Sequence, residues 1–421
     1  MAVATALVVL IMFVAVVRCA PDSSRSAPPL WTLEARAVAG SEKDVSPASW
    51  ASGPVLAITR ARDVTGYDAA TGKVRWRLPL AGRVCGASAF PSKGRVAVQF
   101  GPDARWDCGR IALVDLASGT KVWEAPITSA APVWRGQVVM SGDTVVVRWG
   151  KGVTALGLND GKQRWNAPAS RSECGAQSLA GGSVLVAAYA CSSRASATGS
   201  ATWHVRELDP ATGRPRWSYA VPAGHEVSAL PSTGPVIVLL RPEKRPADSR
   251  RLVTLTSTGT VRADIPLADR SAIRCDAYDP SNCEGIVVDG ETIYTRPGTG
   301  ARKDVPPIVA LSMDGGRARW STENPDGNRL IPVAMEDGGQ RLIAVQPGRR
   351  LNRSPRQPPQ LVAVDVASGR TTVLWGLDKS IDTNMRLITQ AGRHYAQGRF
   401  FLVKTSALRN DDETVVSAHG P

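Results

Sequence analysis

The chain has 421 residues, is 43% hydrophobic and 21% charged, and carries a net charge of +14. That balance excludes an intrinsically disordered chain. The length exceeds what one compact core holds, so the chain needs either several domains or a repeat whose core grows with copy number.

Residues 2–17 (AVATALVVLIMFVAVV) are uncharged and apolar. The run is short for a membrane span of about 20 residues, but long enough for the apolar region of a signal sequence. Arg18 sits where a small residue normally precedes a lipid-modified Cys19 or a cleavage site after Ala20. Residues 1–20 therefore read as a signal anchor, with a signal peptide as the alternative. Residues 21–29 (PDSSRSAPP) read as a flexible tether, and 30–417 as the folded part.

From Val64 onward the chain repeats itself. The segments VTGYDAATGKVRW (64–76), IALVDLASGTKVW (111–123), VTALGLNDGKQRW (153–165), VRELDPATGRPRW (205–217) and VALSMDGGRARW (309–320) align. They place Gly72 with Trp76, Gly119 with Trp123, Gly161 with Trp165, Gly213 with Trp217, and Gly316 with Trp320. Two copies are degraded: Gly259 is followed by Ala263 at the Trp position, and after Gly369 the Trp slides to Trp375. The glycines recur every 42 to 57 residues, the period of one four-stranded propeller blade.

Each part of the motif has a physical task. The stretch before Gly alternates apolar and polar residues as a strand does. Gly supplies the positive φ of a hairpin turn with a bulge. Asp68, Asp115, Asp209 and Asp365 can cap the turn's backbone N–H groups. Trp, on the next strand, can wedge between adjacent blades. Two further strands precede each motif, as in GASAF and RVAVQF, so each blade reads A, B, C, D from the inside out, with the Gly turn between C and D.

Seven motifs leave strand-like sequence at both ends. MRLITQ (385–390), RFFLVKT (399–405) and ETVVSA (413–418) read as strands A, B and C of an eighth blade, and Leu30–Ala35 as its strand D. The expectation is an all-β, eight-bladed propeller of four-stranded antiparallel blades, its last blade closed by both termini and both sheet edges hidden. Seven blades are the alternative.

Beyond Cys19, the cysteines form three consecutive local pairs: Cys85 and Cys108, Cys174 and Cys191, Cys275 and Cys283. No CxxC occurs and His is rare, which disfavours zinc and favours disulfides made in an oxidising compartment. In the blade frame, Cys85 and Cys174 start strand A, Cys108 and Cys191 lie in B–C loops, and Cys275 and Cys283 share one D–A connection. All three pairs then fall on the face that carries the D–A and B–C loops.

That face also carries basic loops: Arg241, Lys244 and Arg245 on the fifth blade, Arg302 and Lys303 on the sixth, and Arg349, Arg350, Arg353 and Arg356 on the seventh. On adjacent blades they are expected to form one patch for an anionic protein surface, polymer or lipid headgroup. The alternative is that they are solvated loops of a basic protein. No aromatic residues interleave with them to stack bases, so nucleic acid is not an expected partner.

The strings YDAATGKVRW, VDLASGTKVW and ELDPATGRPRW resemble the PQQ-binding-like (quinoprotein dehydrogenase-like) β-propeller repeat, over roughly residues 30–417. With the Ala, Arg, Gly, Pro and Val bias, the resemblance implies a high-GC Gram-positive source. It covers both quinone-dependent alcohol dehydrogenases and noncatalytic scaffolds, such as the lipoprotein of the outer-membrane β-barrel assembly machinery. The enzymes pair quinone with Ca²⁺, an Asp base and a disulfide of adjacent cysteines, and this chain has no adjacent Cys pair. Asp276, Asp279 and Glu284 lie close in CDAYDPSNCE but read as a solvated, disulfide-stapled loop. His204, His225, His394 and His419 are scattered without a partner pattern. No catalytic, cofactor or metal residue is assigned. The expected function is an envelope-associated, extracytoplasmic, membrane-anchored scaffold for protein partners. A ligand-sensing domain is the alternative, and a quinone-dependent oxidoreductase is less favoured.

Overall fold

The computed structural model describes residues 28–36, 48–102, 107–129, 133, 136–167, 174–191, 201–244, 250–267, 273–275, 282–296, 306–323, 329–336, 338–348, 358–378, 391–404 and 414–421. Among these, regular structure is entirely β, in eight four-stranded antiparallel sheets plus one two-stranded hairpin, Arg274–Cys275 with Cys283–Glu284. The apolar run 2–17, and with it the anchor expected there, lies outside the described residues.

Seven blades follow the order A-B-C-D directly. Blade 1, for example, is Ser49–Ser52, Val55–Thr59, Asp63–Asp68 and Val74–Pro79. Their middle strands are buried on both faces, which explains apolar runs such as VLAIT. Because side chains alternate along a strand, Val55 and Ala57 pack toward blade 2 with Val96, Val98 and Val114, while Leu56 and Ile58 pack toward blade 8 with Phe401 and Val403. The core is therefore a set of wedges between neighbouring blades. Full burial of each such aliphatic side chain contributes about 2 kcal/mol. Outer D strands instead alternate exposed and half-buried residues, as in VRWRLP.

The C–D hairpins follow the motif's logic. Asp115 Oδ1 accepts hydrogen bonds from the backbone N–H groups of Ala117 (3.1 Å) and Ser118 (3.0 Å) and from the Ser118 hydroxyl (2.9 Å). Asp68 and Asp209 repeat the arrangement. The register then shifts by one residue in each hairpin, for example between Leu113 and Val114. The residue that makes this turn is Gly119, at φ +72°.

The same glycine has a second role. A Cβ on Gly119 would lie 2.2 Å from the Trp76 ring of the preceding blade. Each Trp thus lies flat on the Gly turn of the next blade: Trp123 on Gly161, Trp165 on Gly213, Trp217 on Gly259 and Trp320 on Gly369. Several rings also anchor by their indole N–H. Trp123 donates to Leu158 O (2.8 Å), Trp165 to Pro210 O (2.8 Å) and Trp320 to Val366 O (2.6 Å). Where blade 5 has Ala263, the side chain two residues on, Ile265, covers Gly316 instead. Arg262 reinforces that junction with ion pairs to Asp314 (2.7 Å) and Glu291 of blade 6.

The ring is closed by both ends of the chain. Blade 8 has the order Trp31–Glu34, Thr414–His419, Arg399–Lys404, Ala391–Ala396, so the N-terminal strand supplies D and the C-terminal segment A to C. Trp31 pairs with Ala418 and lays its ring on Gly72, which continues the wedge around the circle. One boundary differs from the sequence reading. Strand A is Ala391–Ala396, whereas the stretch expected to form it, 385–390, lies outside the described residues. The physical reason is the tight turn at Gln397 (φ +50°) and Gly398 (φ +71°), which pairs Ala396 with Arg399 and fixes strand A immediately before it.

The cysteines join as Cys85–Cys108, Cys174–Cys191 and Cys275–Cys283. Cys174 and Cys191 face each other across strands A and B of blade 4, and Cys275 faces Cys283 across the two-stranded hairpin. Cys191 ends strand B rather than lying in the loop. All three bonds lie on the D–A/B–C face.

Candidate functional site in the axial channel

Strand A is innermost in every blade, so eight A strands ring the axis and enclose a channel of about 1010 Å³. Much of its wall is small: Gly86, Ala87, Gly136, Ala180 and Gly181 line it. One sector is different. Arg274, Asn282 and Glu284 from the disulfide hairpin, Arg393 and His394 from blade 8, and Ser49 from blade 1 add polar and charged groups to the lining.

The alternation of strand A explains how two neighbouring residues serve two partners. On one side of the strand, His394 reaches blade 1, with Nε2 2.7 Å from Ser49 Oγ. On the other, Arg393 pairs with Glu284 of the disulfide hairpin at 2.8 Å. Arg274 and Glu284 are register partners in the hairpin, so both guanidinium groups flank one carboxylate.

Burial sets the charge state of this sector. It pushes His394 down to about 4, helped by Arg393, so the imidazole is neutral at physiological pH. A neutral imidazole carries no charge, and its Nε2 either donates to or accepts from the Ser49 hydroxyl according to the tautomer. Burial also raises Glu284 above the ordinary carboxylate range, against the pull of Arg393 and Arg274. Two sequence readings change here. Glu284 is a half-buried, ion-paired channel residue rather than part of a solvated loop, and His394 has a partner. Neither was legible beforehand, because Ser49 and Arg393–His394 come from two blades and Glu284 from the hairpin between two others. Asp276 and Asp279 lie outside the described residues.

Of the basic loop residues, Arg241 is paired with Glu226 and Lys244 is exposed. Arg245, Arg302, Lys303, Arg349, Arg350, Arg353 and Arg356 lie outside the described residues. Nearby Arg296 is buried, which together with Arg329 lowers it to about 10.

The quinone arrangement implied by the sequence resemblance does not fit the residues present. The disulfides join cysteines 23, 17 and 8 residues apart rather than adjacent ones. Among the described residues no three His, Cys, Asp or Glu side chains gather to hold a metal ion.

Several solved structures are similar to this chain. BamB from Moraxella catarrhalis aligns over 92% of this chain and 98% of its own, at 12% identity and a TM-score of 0.47. The computationally designed protein Ika8 covers 92% and 99%, at 11% identity and a TM-score of 0.50. The quinohemoprotein alcohol dehydrogenase ADHIIG from Pseudomonas putida HK5 covers 90% and 73%, at 13% identity and a TM-score of 0.45. At such identities, likeness speaks for the fold alone. No curated protein sequence matches the chain. The family model described as outer membrane protein assembly factor BamB matches residues 24–104 and 107–327, well over half of the sequence, and the chain therefore belongs to that family.

Proposed function

We propose that this propeller is a noncatalytic, extracytoplasmic scaffold of the cell envelope, held to the membrane through residues 2–17, and that it docks protein partners on its D–A/B–C face. The observation that carries the reading is the placement of the disulfides. All three staple that face, in blades 2 and 4 and in the connection between blades 5 and 6. Stapled loops lose little further entropy when a partner lands on them, which favours a preformed docking surface. The opposite face carries short turns such as Gly53–Pro54 and Gly290–Glu291 and no disulfide among the described residues. Disulfides belong to an oxidising compartment. The BamB family membership supports an envelope role with protein partners.

The test is site-specific photo-crosslinking in intact cells, from Lys244 on the D–A/B–C face and from Thr258 on the opposite turn of the same blade. The reading expects one defined envelope protein crosslinked from position 244 and none from 258. Adducts from 258 alone, or from neither, would contradict it. A stoichiometric quinone absorbance spectrum after adding quinone and Ca²⁺ would overturn the noncatalytic assignment.

A further inference from the structure

The chain enters and leaves the propeller on one face. Trp31 opens the N-terminal strand with its ring on Gly72, in the C–D turn of blade 1, and its indole N–H donates to Ala69 O (3.2 Å). Leu30 donates its backbone N–H to Ala418 O (2.8 Å). A Cβ on Gly420 would lie 3.3 Å from Leu30 and 3.4 Å from the carbonyl of Gly398, in the A–B turn of blade 8. Both ends therefore emerge among the A–B and C–D turns, opposite the disulfides. Residues 18–27, ten in all, separate Pro28 from the apolar run 2–17. Fully extended, they reach roughly 35 Å. With the disulfide face on a membrane, they would have to climb the height of a blade, roughly 20 Å for a six-residue strand, before passing any loop.

The surface around this exit suits a bilayer. Among the described residues, five of the six exposed large apolar side chains lie at this end: Leu30, Val74, Val122 and Val261 near the starts of D strands, and Phe90 in an A–B turn. In five of the seven motif blades the residue after the turn glycine is basic and exposed: Lys73, Lys162, Arg214, Arg317 and Arg370. These five stand apart from the ion pairs that Arg75, Arg216 and Arg262 make with Asp68, Asp209 and Asp314. The turn aspartates offset part of the charge, and Asp68, Asp115, Asp209 and Asp365 also accept backbone N–H groups. All A–B and C–D turns belong to the described residues except at position 337. Each Trp rests on the next blade's turn, so successive turns stand side by side around the rim. A flat surface meets them together, whereas a globular partner meets one or two blades.

We propose that the A–B/C–D face lies against the lipid bilayer, with its basic rim on anionic headgroups and its exposed Val, Leu and Phe side chains at the interface. The disulfide face then points away from the membrane. This orientation rests on the reading of residues 2–17 as the anchor. A flexible tether alone leaves the propeller free to tumble; the rim contacts fix which face is presented.

The test uses the full-length protein on vesicles of phosphatidylcholine and phosphatidylglycerol, with a headgroup nitroxide on part of the phosphatidylcholine. A genetically encoded coumarin residue replaces Thr258, in the C–D turn of blade 5, or Lys244, at the B–C end of the same blade. Flotation shows whether the protein is on the vesicles. The two positions stand roughly 20 Å apart along the blade, so quenching at 258 is expected to exceed that at 244 at least about threefold. Lys162→Glu/Arg214→Glu/Arg317→Glu, on blades 3, 4 and 6, is expected to cut quenching at 258 by about half. Near-UV circular dichroism matching the parent shows that this variant is folded. Protein that floats but is quenched equally at both positions, or more at 244, overturns the orientation and leaves the anchor standing. So does a folded charge-reversed variant quenched as the parent is. Protein that does not float contradicts the anchor and the orientation together.

Discussion

Replacing Gly119 by Ala tests the inter-blade wedge at a single atom. The new Cβ meets two separate penalties. At φ +72° an L-residue costs about 1 kcal/mol or slightly more. The Cβ would also stand 2.2 Å from Trp76 Cδ2 and 2.5 Å from its Cε3, so the indole must move. Such overpacking costs about 1–3 kcal/mol. Gly94 supplies the control: its φ is +71°, and no atom lies within 4 Å of its Cβ position. Gly94→Ala therefore meets the conformational penalty alone. Urea denaturation of both variants, followed by Trp fluorescence, is expected to lower the midpoint more for Gly119→Ala, by about 1–3 kcal/mol at unchanged slope. In a Trp76→Ala background the excess should vanish, which gives a coupling energy of the same size. Equal losses at Gly94 and Gly119, or an excess that survives removal of Trp76, would refute the wedge.

Other expectations follow from the same structure. Ile265→Ala should cost about 2–4 kcal/mol in urea denaturation, because Ile265 packs directly on Gly316 at the junction that lacks Trp; a loss below about 0.5 kcal/mol would contradict that packing. Alkylation without reduction should leave the six cysteines of the three disulfides unmodified in intact-mass analysis, and labelling of any of them would contradict the stapled face. The acid limb should carry the mark of His419, which is 2% exposed, has no ring-nitrogen partner among the described residues, and is pushed by burial to about 4. Its folded value lies below the unfolded 6.5, so the unfolded chain binds the proton more readily. The corresponding stability is present above pH 6.5 and is lost as pH falls toward 4, by about 3 kcal/mol. His394, lowered the same way, adds loss of the same sign. His419→Phe should flatten this slope in denaturation curves between pH 7 and 4, and an unchanged slope would refute the assignment.

Local chemistry made most of the fold legible in the sequence. Gly72, Asp68 and Trp76 sit within one hairpin, and their spacing encodes the turn directly. Closure by Leu30–Ala35 was legible because both ends kept strand patterns without partners. The eighth blade's strand A was misplaced because MRLITQ has a stronger apolar pattern than AGRHYA, whereas the Gln397–Gly398 turn decides the pairing. The channel cluster was not legible. Ser49, Glu284 and His394 are hundreds of residues apart or on separate blades, and only ring closure brings the A strands together. Even the partner of each Trp was readable only in part. The motif predicted a wedge between blades, but not that the ring would rest on the next blade's turn glycine and so forbid any side chain there.

The claim beneath the whole account is that both ends of the chain build one blade. Thr32 and Ser417 are register partners in that blade. Directly opposed residues hold their Cβ atoms about 5 Å apart, within disulfide reach. The Thr32→Cys/Ser417→Cys double variant, oxidised and digested without reduction, should yield one additional disulfide-linked peptide pair joining residues near 32 to residues near 417, beside the three native bonds. Two free introduced thiols, with the native bonds intact, would contradict the eight-bladed closure.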